Sequence, residues 1–500
     1  HSLGGQAIQA AAATYPTYYR SMALVGSWTT APAAVSPALK NVAVITGRWE
    51  EFSPLMWEVA DSTDINGSPR MKKLFGTTGE VQPGKLHGSI ADGTARILYR
   101  PTTNHPGNTA DPASVGHAVE WMDRTLDGGH KATGQVWWAK ELGTLLAFIG
   151  GVLFLFPFGA LLLRRRVFAP VVRDVPEAKG ARSGAPWYVT ALVSAAIPAV
   201  TFFWFQQKGA EWIKPSALFP QELTNGVMVW ALLNGLISLV LLAAWHLLGN
   251  RRAGVRLRDY GLAWEDGFHL SRVGRAALLA VAVTGGLYGL LAASDWLFHT
   301  DFRFYVLQLH LMDGAHLRIF LSYLLPFTAF FLVLSAGLHS QLRAAGSRRR
   351  TRGEMVAAAV VLPVGIAVLI LVDYLPLLLT GTKLAVPTQP LLIIIGYQFV
   401  PLLAVAGLVS TYFFHRTGTV YTGAFVSAIV ITWSMTAGTA THVPIGQWDG
   451  VAQLARVLVP LVAGVALIAV PLLRRRSTAR HAASGTPGTP GTLSEAGTTV

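Results

Sequence analysis

A serine, a carboxylate and a histidine, in that order along the first part of the chain, set the chemistry open to it. Ser2 stands in His1-Ser2-Leu3-Gly4-Gly5. The run reads as a nucleophile elbow, Gly-x-Ser-x-Gly, without its leading glycine. In an elbow a strand enters a tight turn, the serine occupies the apex, and a helix starts behind it. The apex backbone takes an unusual φ/ψ, so small neighbours are required. Gly4 is expected to let helix and strand approach closely, and Gly5 to do so less critically. Residues 6–13, Gln-Ala-Ile-Gln-Ala-Ala-Ala-Ala, then supply good helix formers. A serine hydroxyl needs a base within hydrogen-bond reach, and the base needs an acid to orient it. His105 is the candidate base, with His117 in reserve. Glu50 is the candidate acid, with Glu51, Asp61 and Asp64 as alternatives.

These groups must be held by elements the sequence announces. Apolar runs at 22–28, 41–47 and 95–99 read as buried strands, and 114–122 as a helix. Residues 53–95 are polar and Gly-rich, with only a short helix near 55–60. Uninterrupted strands alternating with helices argue for a parallel α/β sheet. Catalytic groups in such sheets sit at the carboxyl ends of strands. Ser2 follows an expected strand, Glu50 lies just past the strand ending at Gly47, and His105 lies just past the strand ending at Tyr99.

Through His-Ser-Leu-Gly-Gly, Ile-Thr-Gly-Arg-Trp-Glu and Thr-Asn-His-Pro, residues 1–130 resemble the C-terminal half of an α/β-hydrolase catalytic domain. The resemblance implies Ser2 as nucleophile, His105 as general base, Glu50 as orienting acid and the Leu3 backbone N–H as one oxyanion donor. It implies no cofactor and no metal. Aspartate is commoner than glutamate at the acid position, and Glu51 is adjacent. The chain begins with His, so it is expected to be the C-terminal part of a longer protein. The strands before the elbow and the second oxyanion donor would lie upstream, together with an export signal or a first span, and the fragment alone would lack a competent site.

The 500 residues are 52% hydrophobic and 13% charged, the profile of a membrane protein. The absence of cysteine excludes disulfides, thiolate catalysis and Cys-based metal sites. The formal charge of +14 comes largely from arginines beside apolar runs, a topology signal rather than a nucleic-acid patch. Runs at 143–163, 187–205, 227–248, 276–298, 319–338, 355–375, 390–414, 421–440 and 454–473 are long enough to span a bilayer. Arg164, Arg165, Arg166, Arg251, Arg252, Arg348, Arg349, Arg474 and Arg475 fall in alternate loops, whereas the opposite loops hold only Lys208, Lys214, Arg303, Arg318 and Lys383. The C-terminus is therefore expected in the cytoplasm and residues 1–130 outside the cell. Asn234, Asp295, Asp373 and Arg456 are the polar groups within or at the ends of spans.

The expected fold class is thus α/β, the C-terminal half of a hydrolase sheet, followed by an all-α polytopic membrane domain of nine helices. The expected divisions are a hydrolase segment at 1–130, a linker at 131–142, a membrane domain at 143–475 and a disordered tail at 476–500. The expected partners are a small or lipid-like acyl substrate and the bilayer. The leading function is a membrane-integrated serine hydrolase acting on an ester, thioester or amide. A transporter or channel carrying a non-catalytic segment, and a membrane acyltransferase, are the alternatives.

Overall fold

In the computed structural model, residues 1–28, 39–128, 134–179, 184–252, 254–343, 351–382 and 389–443 are described. The ninth expected span, Arg456 and the tail lie outside the described residues. Three short strands form where β-branched and apolar residues run unbroken: β1 (Met22–Val25), β2 (Val42–Ile45) and β3 (Arg96–Tyr99). They pair in parallel in the order β1-β2-β3, with Val42 opposite both Met22 and Arg96. All four β2 residues are buried, because both faces of the sheet are covered. On one face Leu24, Val42, Val44 and Leu98 pack with Met56 and Trp57. On the other, Ala43, Ile45 and Ile97 pack with Trp121.

The helices around this sheet are set by local signals. α1 (Gly4–Thr14) follows the Ser2 turn, and α2 (Ser53–Met56) is a single turn. α3 (Pro69–Phe75) begins where Ser68 accepts the Met71 N–H, and it stops at Gly76 in the left-handed conformation. α4 (Pro112–Thr125) has Pro at its start, and Asp111 accepts the Ser114 N–H. The indole N–H of Trp121 donates to the Met22 carbonyl at 3.0 Å and clamps α4 to the sheet.

The remainder is helical: α5 (Trp137–Leu163), α6 (Ala185–Val200), α7 (Phe202–Trp212), α8 (Glu222–Trp245), α9 (Leu270–Phe298), α10 (Gly314–Gln341), α11 (Thr351–Thr380), α12 (Gln389–Thr417) and α13 (Tyr421–Gly438). A two-stranded hairpin, β4 (Phe302–Phe304) and β5 (Leu307–Leu309), joins α9 to α10. The helices approach closely where side chains are absent. A Cβ on Gly365 of α11 would fall 1.9 Å from the Ala195 carbonyl oxygen of α6.

Two expectations are corrected. The fold class is not α/β: the described chain is mostly helical, and its parallel sheet has three strands of four residues each. Apolar runs at the expected strand positions do pair in parallel, but strands this short carry only a small part of the structure. The membrane part does not have nine spanning helices among the described residues. Six are long and apolar enough, or seven if α6 and α7, bent by 44°, form one broken span. The break follows Pro198 and falls at Thr201, whose hydroxyl bonds back to the Ile197 carbonyl. The eighth expected span became α13, whose Thr422, Ser427, Thr432, Ser434 and Thr436 are buried by neighbouring helices rather than facing lipid. The chain is a multi-pass membrane protein by the length and hydropathy of its helices.

Candidate functional site

The site is built where the exits of β2 and β3 run side by side. The Arg48 N–H donates to the Pro101 carbonyl at 2.8 Å, and the Trp49 N–H to the Thr103 carbonyl at 3.0 Å. A Cβ on Gly47 would fall 2.3 Å from the Thr103 oxygen, so only glycine lets the two chains come this close. That pairing brings Glu50, Glu51 and His105 together. His105 Nδ1 lies 2.9 Å from Glu50 Oε1, a short contact bent away from the ideal hydrogen-bond line. Glu50 Oε2 accepts the Thr46 hydroxyl at 3.2 Å, and Oε1 accepts the Phe52 N–H at 3.3 Å. Glu51 contacts the backbone of the same histidine: its Oε2 accepts the His105 N–H at 2.7 Å. Glu50, Glu51 and His105 are 0%, 1% and 2% exposed.

Ser2 reaches this place through the start of α1. Its φ is +53°, the left-handed region that an L-residue enters only when its surroundings require it. Its N–H points at the Val25 and Gly26 carbonyls, at 3.2 and 3.1 Å, which fixes the turn at the carboxyl end of β1. The roles of the two following glycines are the reverse of the expectation. A Cβ on Gly5 would fall 2.0 Å from Ser27 Oγ, whereas a Cβ on Gly4 would meet nothing within 4 Å. The Leu3 N–H makes no hydrogen bond among the described residues, and Leu3 is exposed.

The His105 ring is enclosed. The Phe52 ring lies 4.5 Å from it and the His1 ring 4.7 Å, centre to centre, and His1 Nε2 is 3.0 Å from the His105 carbonyl oxygen. Gly26, at positive φ, makes room, since a Cβ there would sit 2.8 Å from His1 Nε2 and 3.2 Å from His105 Nδ1. Among the described residues Ser2 Oγ makes no hydrogen bond, so acid and base are joined and the serine is not linked to them. His117 is elsewhere, stacked on Tyr99 at 4.0 Å. Asp64 is exposed, and Asp61 bonds Thr382.

Burial and charge act against each other here. Burial pushes the Glu51 carboxyl up, Glu50 adds to this, and His105 and the Tyr374 hydroxyl pull it down, leaving it at about 7. Burial lowers His105, but the Glu50 charge and contact, followed by Glu51, outweigh it and hold the imidazole above its ordinary value. Burial also lowers Arg100 to about 10, against the pull of Glu50.

The site also touches the membrane helices. The Tyr374 hydroxyl of α11 donates to Glu51 Oε1 at 2.6 Å. Trp49 packs with Tyr374, Leu377 and Ile393. Ser62 donates through both N–H and hydroxyl to the Gly381 carbonyl beyond α11, at 3.1 and 3.0 Å.

A second buried polar cluster escaped the sequence reading. His339 Nε2 is 3.0 Å from Ser410 Oγ, which is 2.8 Å from Ser335 Oγ. His415 Nε2 is 2.7 Å from Glu354 Oε2, and Arg343 Nε is 3.7 Å from the same oxygen. His339, Arg343, Glu354 and Thr411 line a cavity of about 360 Å³ between α6, α10, α11 and α12. The signal was available: these residues stand at or near the ends of three expected spans. Of the polar residues singled out in spans, Asn234 is satisfied by the Trp230 carbonyl and the Thr201 hydroxyl, and Asp373 is buried.

Comparison with family models, with curated proteins and with solved structures finds no match for the chain.

Proposed function

We propose that this protein is a membrane-integrated serine hydrolase with the α/β-hydrolase order of nucleophile, acid and base. The supporting observation is the buried contact of His105 Nδ1 with Glu50 Oε1 at 2.9 Å, beside a serine held at positive φ. In this reading Ser2 Oγ attacks the acyl carbon of an ester, thioester or amide and its proton passes to His105 Nε2. Glu50 steadies the imidazolium, and the Leu3 N–H donates to the developing oxyanion. The leaving group departs with the proton from His105. Water, deprotonated by the same histidine, then releases the acid from Ser2. The reading requires Ser2 Oγ to come within reach of His105 Nε2, past the His1 ring. The lipid-like substrate class is favoured by the attachment of the site to α11. The arginine-rich loops favour a site outside the cell and a C-terminus in the cytoplasm.

A second reading is favoured by the cavity around His339, Arg343 and Glu354: a transporter whose N-terminal segment is not catalytic. An acyltransferase would share the triad and differ only in its acceptor. The test is fluorophosphonate labelling of the full chain in intact cells with a membrane-impermeant probe, against Ser2→Ala. Labelling that vanishes in the variant is expected. Labelling only after the membrane is opened keeps the enzyme and reverses the orientation. No Ser2-dependent labelling under either condition overturns the hydrolase reading in favour of transport.

A further inference from the structure

Glu51 takes no part in the steps above, yet its carboxyl is the most closely partnered group at the site. One oxygen accepts the His105 N–H and the other the Tyr374 hydroxyl. Two more phenols lie within electrostatic reach of it. Tyr397 of α12 has its ring 5.5 Å from that of Tyr374. Tyr305 stands at the turn of the β4–β5 hairpin with φ +59°; burial pushes its phenol up, and Tyr397 and the Glu51 charge add to this. Phenols from three elements of the membrane part are therefore coupled to one carboxyl of the N-terminal segment, and Tyr374 is the one that bonds it. Its remaining charged or titratable neighbours are Glu50 and His105. Arg100 acts on Glu50 in turn.

A glutamine has a single acceptor oxygen and could take only one of the two donors, though it would avoid the cost of burying a carboxylate beside another carboxylate. What a glutamine cannot supply is a charge that comes and goes next to the imidazole. The link to α11 also lies on the opposite carboxylate oxygen of Glu51 from His105, so this side chain connects the Tyr374 hydroxyl to the histidine backbone.

We propose that Glu51 is a positioning residue for His105, held by Tyr374, through which the Tyr374 hydroxyl of α11 sets the protonation of the proposed catalytic histidine. This rests on the hydrolase reading. An ionised Glu51 holds the proton on His105 up to higher pH and keeps it from acting as a base. The Tyr374 hydroxyl favours the ionised carboxyl by hydrogen bonding to it. Without that hydroxyl Glu51 stays neutral to higher pH, and His105 gives up its proton sooner.

The experiment is the rate of Ser2 labelling by a membrane-permeant fluorophosphonate against pH, in the full chain in its membrane. Glu51→Gln is expected to move the rising limb to lower pH by roughly half to one unit, and Tyr374→Phe by less in the same direction. Leu377→Ala, which loosens the same patch of α11 without touching the carboxyl, is expected to leave the midpoint in place. The midpoint is independent of how much folded protein each variant yields. Ser2-dependent labelling with coincident midpoints in wild type, Glu51→Gln and Tyr374→Phe overturns this inference and leaves the hydrolase standing. A Leu377→Ala midpoint that moves as far as that of Tyr374→Phe overturns the specific role of the hydroxyl. No Ser2-dependent labelling of the wild type at any pH overturns the hydrolase reading, and this inference falls with it.

Discussion

Two regions of this molecule bury a histidine against a glutamate, and they are built differently. At the end of the sheet His105 Nδ1 stands 2.9 Å from Glu50; among the helices His415 Nε2 stands 2.7 Å from Glu354. The helical cluster also sets a serine against a histidine, Ser410 with His339, and it lines a cavity. By residue types alone it is the more complete triad. The backbone separates them. Ser410 sits inside α12 with its hydroxyl between Ser335 and His339, and interior helical N–H groups are bonded to carbonyls four residues back. Ser2 sits at a strained turn at the start of α1, next to a Leu3 N–H that no acceptor takes. Acyl transfer needs an exposed nucleophile with a donor beside it for the oxyanion. A close histidine and acid are needed too, but they do not make a site by themselves.

The largest effect that tests this contrast is loss of the serine. Ser2→Ala is expected to abolish fluorophosphonate labelling, a drop of at least about a hundredfold, while Ser410→Ala leaves it within about twofold. Labelling lost in Ser410→Ala and kept in Ser2→Ala would exchange the roles of the two regions. The acids give the next effect. Glu50→Gln is expected to slow labelling by about a hundredfold or more, because the histidine loses the partner that steadies its protonated form. Glu354→Gln is expected to change it by less than about threefold. Equal slowing by both substitutions would mean that the slowing reports on general folding and not on the relay.

Much of the site was legible in the sequence because it depends on local order. The apolar runs at 41–47 and 95–99 announce strands, and groups just past strand ends meet in a parallel sheet. The choice between Glu50 and Glu51 was not legible. Both are buried beside His105, and only the pairing of Trp49 with Thr103 aims one at the ring and the other at the backbone. The fold class was misread because four-residue strands look like longer ones in an apolar run. The span count was misread because the apolar run at 421–440 folds into an 18-residue helix diluted by Ser, Thr and Gly, which falls short of the apolarity of a spanning helix. Tyr374 was invisible as a site residue, since its partner lies more than three hundred positions away in the chain.

Close approach sharpens the comparison at smaller amplitude. Gly5→Val is expected to destabilise by roughly 2–3 kcal/mol, since its Cβ lands on Ser27 Oγ, while Gly4→Ala is close to neutral. Gly365→Ala is expected to cost about as much in the helices, because its Cβ meets the Ala195 carbonyl, a backbone group that cannot rotate away. Thermal midpoints of the three variants in detergent check this. A Gly5→Val midpoint equal to that of the wild type would mean that the turn at Ser2 yields to the added side chain.

The smallest effect is the dependence of stability on pH, and its sign follows from the buried carboxyl of the sheet region. Native Glu51 holds its proton up to about pH 7, against an ordinary value of 4.5, so between these pH values the native state binds more protons than the unfolded chain. Stability is then fully present below about pH 4.5 and falls as pH rises through 7. His105, raised above its ordinary 6.5, acts in the same sense from there upward. The thermal midpoint of the full chain is therefore expected to fall from acid to neutral pH, by an amount on the order of 1–3 kcal/mol in stability. Glu51→Gln should flatten the slope below pH 7 and leave only the part due to His105. Tyr374→Phe should carry the fall to higher pH, because Glu51 has lost a donor to its charged form. If the slope persists unchanged in Glu51→Gln, the protons that stabilise the native state are bound elsewhere, and burial does not hold Glu51 neutral.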